Sequence, residues 1–305
     1  MNSISVSGVM AHPAADPSTP SVGNQPSSKP SLLQTRVLSA AVMLPVVVAL
    51  LFFGGLGFAL LIGLMAVLMA GEWDRLTGGQ GFGLAGLAMA AALLVVLALM
   101  FFGHGDWAML AFVPFALALA VIGRRGGRPM VWPLVGLFWL GLPCLAILWL
   151  RMGDHMGNYM GDHGLLVVAC LFISVWSCDT GAYFAGRSIG GPRLAPRISP
   201  KKTWSGLLGG MVAAAIASAL LALVVGQGSA VSFAVLGASL ALISQLGDLA
   251  ESSVKRRFDV KDSGSIIPGH GGILDRVDGV LFAAPVMALL ILLGQVLNLR
   301  LMPWQ

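Results

Sequence analysis

From Arg36 onward the chain is a succession of long apolar runs broken by short polar or Gly/Pro punctuation, and this constrains its fold more than any other feature. A helix needs about 20 predominantly apolar residues to cross the hydrocarbon of a bilayer. Runs near that length occur at about 37–53, 56–71, 82–102, 107–122, 131–150, 164–186, 205–226, 230–250 and 279–298. The expectation is an all-α, polytopic integral membrane protein of about nine transmembrane helices. The boundary between the first two runs rests on Gly54, Gly55 and Gly57, and the fourth run is short and contains Pro114, so eight or ten spans also fit. Composition agrees: 57% of residues are hydrophobic and 10% are charged, whereas a soluble domain carries about 25% charged residues. Residues 1 to about 33 differ, being rich in Pro, Ser and Ala with a single Lys29. They read as a disordered tail rather than a signal peptide, leaving 34–305 as one transmembrane domain.

The formal net charge is +5, yet its distribution argues for membrane orientation and against a nucleic-acid partner. Alternating sides across nine spans puts sixteen of the 18 Lys and Arg residues on one face and only Arg151 and Arg300 on the other. The positive-inside rule then places the N-terminus and the long basic loops in the cytoplasm. Cys144, Cys170 and Cys178 lie in or at the ends of apolar stretches, at no metal-ligand spacing, and read as small buried side chains. His155 and His163 sit in a Gly/Met-rich external connection and read as solvated loop residues.

Polar chemistry is therefore confined to the two longest connections of the basic face, about 187–204 and 251–278. The first is preceded by Asp179, inside a span, where a carboxylate is costly and is usually paired or functional. It ends in Ser199-Pro-Lys201-Lys202-Thr203-Trp204. Ser199 or Thr203 would start the next helix, offering free N–H groups beside two lysine charges, which suits an anion such as phosphate. A basic loop touching acidic lipid headgroups would have the same composition. In the second connection, Asp248, Glu251 and Lys255 fall on one helical face by their i, i+3 and i+4 spacing. Beyond Lys261, glycines around His270 permit a tight loop, and Asp275 and Asp278 stand three apart where the last span begins. Three carboxylates at adjacent helix ends, Asp248, Asp275 and Asp278, call for a hard cation such as Mg²⁺. The alternative is a salt-bridge cluster with Arg256, Arg257 and Arg276.

These residues carry a resemblance to the phosphatidate cytidylyltransferases, also called CDP-diacylglycerol synthases. The matching run reads Ser253-Val-Lys255-Arg256, then Lys261-Asp262, then Pro268-Gly-His270-Gly271-Gly272-Ile-Leu-Asp275-Arg276-Val-Asp278. The segments from Asp179 to Arg187 and from Ser199 to Trp204 look like the family's other polar motifs, except that Ser205 stands where members often carry Glu. The resemblance spans about 36–300. It implies transfer of a cytidylyl group from CTP to phosphatidate, giving CDP-diacylglycerol and pyrophosphate in phospholipid biosynthesis. It also implies a Mg²⁺ requirement, a second monovalent cation such as K⁺, and a bacterial inner-membrane location. By motif position Asp248, Asp275 and Asp278 are expected to hold metal and, with Lys202 and Lys255, to carry catalysis. Asp179, Ser199, Lys201, Thr203, Glu251, Arg256, Lys261, His270, Gly271 and Arg276 are expected to contact CTP or lipid phosphate. Gly/Ala-rich spans would also permit a homodimer. A transporter, or a related lipid kinase or nucleotidyl transferase on the same scaffold, is the competing reading. No internal repeat of the transporter kind is visible, and the polar residues gather at one face rather than at the membrane midplane.

Overall fold

The structure, a computed structural model, describes residues 32–127, 129–152, 163–267, 271–297 and 302. Among these are nine helices: α1 Leu32–Phe53, α2 Gly55–Leu76, α3 Leu84–Phe101, α4 Gly105–Arg125, α5 Val131–Met152, α6 His163–Ser188, α7 Trp204–Val225, α8 Ala230–Arg257 and α9 Leu274–Leu297. Eight of them, α2 to α9, are long and apolar enough to cross a membrane. Pro45, Pro114, Pro143 and Pro285 lie inside helices, as membrane helices tolerate when neighbours satisfy the freed backbone groups. The tail expected over 1–33 falls almost wholly outside the described residues.

The doubtful boundary between the first two spans is a break at one residue. Gly54 has φ of +64°, and a Cβ there would come within 2.5 Å of the Arg151 guanidinium. Arg151 sits at the end of α5 and caps the end of α1, donating to Leu51 O at 2.8 Å and to Phe52 O at 3.0 Å. One of the two basic residues on the sparsely charged face thus satisfies carbonyls that a helix end leaves open.

Several helices extend past their expected limits at the charged end, α2, α8 and α9 among them. α2 continues through Glu72, Trp73 and Asp74, α8 continues to Arg257, and α9 begins five residues early, so that Asp275 lies in its first turn. Hydropathy marks where lipid contact ends, not where the helix ends. On α8 the Glu251–Lys255 pair and the basic last turn suit a helix C-terminus, so the helix runs on into polar sequence.

Among the described residues the connection between α6 and α7 holds the one pair of strands. Strand β1 (Arg193–Ala195) pairs antiparallel with β2 (Ser199–Thr203). Ser199 therefore starts a strand, and Thr203 is the N-cap of α7, its hydroxyl accepting from Gly206 N at 3.0 Å. Ser205 donates to Gly190 O and hydrogen-bonds with the Thr203 hydroxyl, tying the hairpin to the helix start. α6 and α7 approach closely because small residues face each other. A Cβ on Gly209 would meet the Ala185 Cβ at 2.2 Å, and one on Gly210 would meet Cys178 O at 2.8 Å. The bulkiest buried side chains are Trp73, Phe58, Phe233, Met69 and Met89, while α7 turns Leu208, Val212, Ile216 and Leu223 outward, as a lipid-facing helix would. The three cysteines are buried and free.

Candidate active site

The ends of α2, α6 and α8, the hairpin, and the start of α9 meet at one end of the bundle. Two ion-pair systems organise that end. In the first, β2 carries Lys202 across to α8, where its Nζ lies 2.5 Å from Asp248 Oδ2. Asp248 Oδ1 also accepts from Ser252 at 3.2 Å. On α6, Asp179 accepts from Gln245 of α8 at 3.3 Å and lies within Coulombic reach of Asp248, Lys202 and Arg276. Asp278, one turn into α9, lies within Coulombic reach of Asp248, Glu251 and Asp179, and accepts from Gly279 N at 2.8 Å.

In the second system, Lys255 Nζ bridges Asp275 Oδ1 at 2.7 Å and Glu251 Oε1 at 3.3 Å. Asp275 is further filled by backbone: Ser263 N donates to both its oxygens at 3.0 and 3.2 Å, and Gly272 N donates to Oδ2 at 3.0 Å. The Glu251 side chain is 1% exposed. Its ion-pair partner is Lys255, and the Asp278 carboxyl of α9 also lies against it.

The three acids read as one metal set have different partners in this arrangement. Asp275 has most of its acceptor capacity taken by an ammonium and two amides. Asp248 lies in the other system, and Asp278 stands between the two, within reach of Asp248 and of Glu251. Among the described residues no group of three or more His, Cys, Asp or Glu converges on one metal position. A Mg²⁺ ion is commonly held by one or two carboxylates, with substrate phosphates and water completing its shell. Asp248 and Asp278 fit that role: their donors are all oxygen, and the one ammonium in contact with Asp248 shows that the position attracts a cation. Of the arginines in the alternative salt-bridge reading, Arg276 lies within Coulombic reach of Asp179, and the other two have partners elsewhere. Arg256 donates to Ile198 O and Val260 O, at 3.3 and 3.4 Å, linking the hairpin to the loop after α8, and Arg257 lies over the Trp132 ring.

Lys201 and Lys261 are exposed on the same end. Gly271 has φ of +87° and forms a two-bond bridge with Ile267, which a side chain at that φ would strain. His270 lies outside the described residues. Beneath the charged end lies a cavity of about 360 Å³ between α1, α2, α5, α6 and α9. It is lined by apolar side chains including Phe58, Ile62, Ile147, Trp176 and Leu281, and Arg276 is the one charged residue among the described residues that line it.

One acid in this region was not anticipated. Glu72, at the end of α2 and 2% exposed, accepts from Ile273 N and Leu274 N at 2.9 Å each, and from the Ser263 hydroxyl at 3.3 Å. Its signal was present in Gly71-Glu-Trp-Asp74-Arg75, where two acids follow an apolar run with no break. Acids at membrane depth are expensive enough to need an account.

A model of the cytidylyltransferase family matches residues 34–293. The chain belongs to the cytidylyltransferase family. The phosphatidate cytidylyltransferase of Brucella suis biovar 1 (strain 1330) is 40% identical over 267 residues, covering 87% of this chain and 94% of the relative. Those of Pseudomonas aeruginosa and Haemophilus influenzae are 37% and 34% identical, over 85% and 83% of this chain and 97% and 96% of theirs. The family resemblance read from Ser253 to Asp278 is thereby borne out. In this cytidylyltransferase the resembling segments from Asp179, from Ser199 and from Ser253 meet at one end of the bundle.

Proposed function

We propose that this membrane cytidylyltransferase transfers a cytidylyl group from CTP to phosphatidate, forming CDP-diacylglycerol and pyrophosphate for phospholipid synthesis. The observation that carries the reading is the apolar cavity that reaches Arg276, which follows Asp275 on α9 and lies within Coulombic reach of Asp179. A diacyl phosphate has that division of character: acyl chains for the cavity and a phosphate for Arg276.

The lipid phosphate oxygen attacks the α-phosphorus of CTP. A new P–O bond forms, the bond to the bridging oxygen breaks, and pyrophosphate leaves. Little covalent work falls to the protein, so positioning and charge stabilisation dominate. Mg²⁺, held by Asp248 and Asp278, would neutralise charge on the triphosphate. Lys202, Lys201 and Lys255 face the space where phosphates would gather, and the exposed Arg256 and Lys261 lie at its rim. Asp275 holds Lys255 and the loop rather than a metal. The basic end faces the cytoplasm of a bacterial inner membrane, where soluble CTP can reach a lipid phosphate at the interface.

The test is incubation of the purified protein in detergent with phosphatidate, Mg²⁺ and radiolabelled CTP, with and without added K⁺. Labelled CDP-lipid is expected. Its absence across lipid and salt conditions would sink the proposal.

A further inference from the structure

Glu72 stands apart from every motif of the site, yet it grips the segment that carries the signature. Its three partners are 191 to 202 residues away in sequence. Both oxygens are used. Oε1 receives Ile273 N; Oε2 receives Leu274 N and the Ser263 hydroxyl. The loop is moulded around this carboxylate. A Cβ on Gly264 would come 2.6 Å from Glu72 Oε1, and one on Gly272 would come 2.9 Å from it and 2.0 Å from Ser263 Oγ.

We infer that Glu72 is a positioning residue for cytidylyl transfer, fixing the loop around Ser263 and the first turn of α9 in the register that sets Asp275 against Lys255. Ser263 is the link. Its hydroxyl goes to Glu72, and its amide goes to Asp275 at 3.0 Å. The loop is thus clasped between a carboxylate of α2 on one side and a carboxylate of α9 on the other. Asp275 in turn receives Lys255. Between Phe258 and Leu274 the described loop has little pairing of its own, the bridge between Ile267 and Gly271 being its one ladder-like contact. Without Glu72, two amides of the α9 start lose their acceptor in a buried place, and the loop is held from one side only. Its charge also faces the positive end of the α9 dipole, which favours a carboxylate over an amide there.

The inference rests on placing the chemistry around Lys255 and Asp275, and the test separates the two. Full-length protein in nanodiscs is assayed as wild type, Glu72→Gln, Glu72→Asp, Ser263→Ala and the Glu72→Gln/Ser263→Ala pair. For each, kcat, the KM for CTP and the melting temperature are measured, with kcat expressed per folded molecule. Glu72→Gln replaces one acceptor with a donor facing donors. Its kcat is expected to fall about tenfold or more while the KM for CTP stays within about threefold. Glu72→Asp, one methylene too short, falls by a similar factor. Ser263→Ala costs less, and its effect is smaller in the Glu72→Gln background because both act through one link. Unchanged kcat per folded molecule with a lowered melting temperature would show a helix cap and nothing more, and overturns the inference. Strictly additive effects of the pair overturn it as well. If Glu72→Gln does not fold, Glu72→Asp and Ser263→Ala decide alone, and wild-type kcat in both sinks the idea. Near-normal turnover in Asp275→Asn overturns the reading of the centre itself, independently of any Glu72 result.

Discussion

Asp275 and Asp248 show how the same residue type takes opposite duties from its surroundings. Asp275 accepts one ammonium and two backbone amides, which fill most of its acceptor capacity. Asp248 makes one ion pair and one hydroxyl contact and keeps acceptor capacity. Replacing Asp275 with Asn puts a donor against donors and removes the charge facing Lys255. Activity is expected to fall by at least about 100-fold, with a stability loss of about 1–3 kcal/mol, read by CDP-lipid formation and thermal melting. Asp248→Asn is expected to act differently. The Mg²⁺ concentration for half-maximal rate should rise about tenfold or more, and melting should fall as well, because the buried Lys202 ammonium loses its ion-pair partner. An unchanged Mg²⁺ curve would remove Asp248 from the metal position. The sequence had marked both residues as equivalent acids at helix ends. Spacing reports which residues are near one another along a helix, but not which backbone amides a folded loop will aim at them.

At the scale of elements, the hairpin and the α6/α7 contact place Lys202 and Asp179. β2 is too short and too polar to be recognised by alternation, and it exists because α7 begins immediately after it with Thr203 as cap. The close approach of α6 and α7 depends on glycine at 209 and 210, where a side chain would overlap Ala185 and Cys178. Gly210→Leu is expected to wedge the pair apart. It should lower melting by the equivalent of about 1–3 kcal/mol and reduce activity by displacing Asp179 from Asp248. A variant with wild-type melting and turnover would contradict that account. The helices themselves were legible, since apolar runs of membrane length have few alternatives. Their ends were not, because α2, α8 and α9 continue past the last apolar residue on tertiary contacts and charge pairing.

Over the whole molecule, the bundle divides by chemistry into a charged end and an apolar cavity beneath it. If the cavity takes acyl chains, filling it should discriminate by chain length. Ile147→Trp is expected to lower kcat/KM for long-chain phosphatidate about tenfold relative to a short-chain analogue, with the KM for CTP unchanged. Equal loss on both lipids would place the chains elsewhere. At the opposite end, Arg151→Ala removes the cap on α1 and should cost about 1–2 kcal/mol of stability without touching the chemistry, as melting beside turnover would show. Read alone, the sequence determined a helical membrane protein, the gathering of its charges at one face, and the family, because hydropathy runs and a dense charged signature are local properties of the chain. Tertiary structure alone decided that Asp248 and Asp275 split into two ion-pair systems, that a hairpin delivers Lys202, and that Glu72 holds the loop from far along the chain. Those are contacts between segments far apart in sequence, and no periodicity or spacing encodes which buried acceptor a distant amide will find.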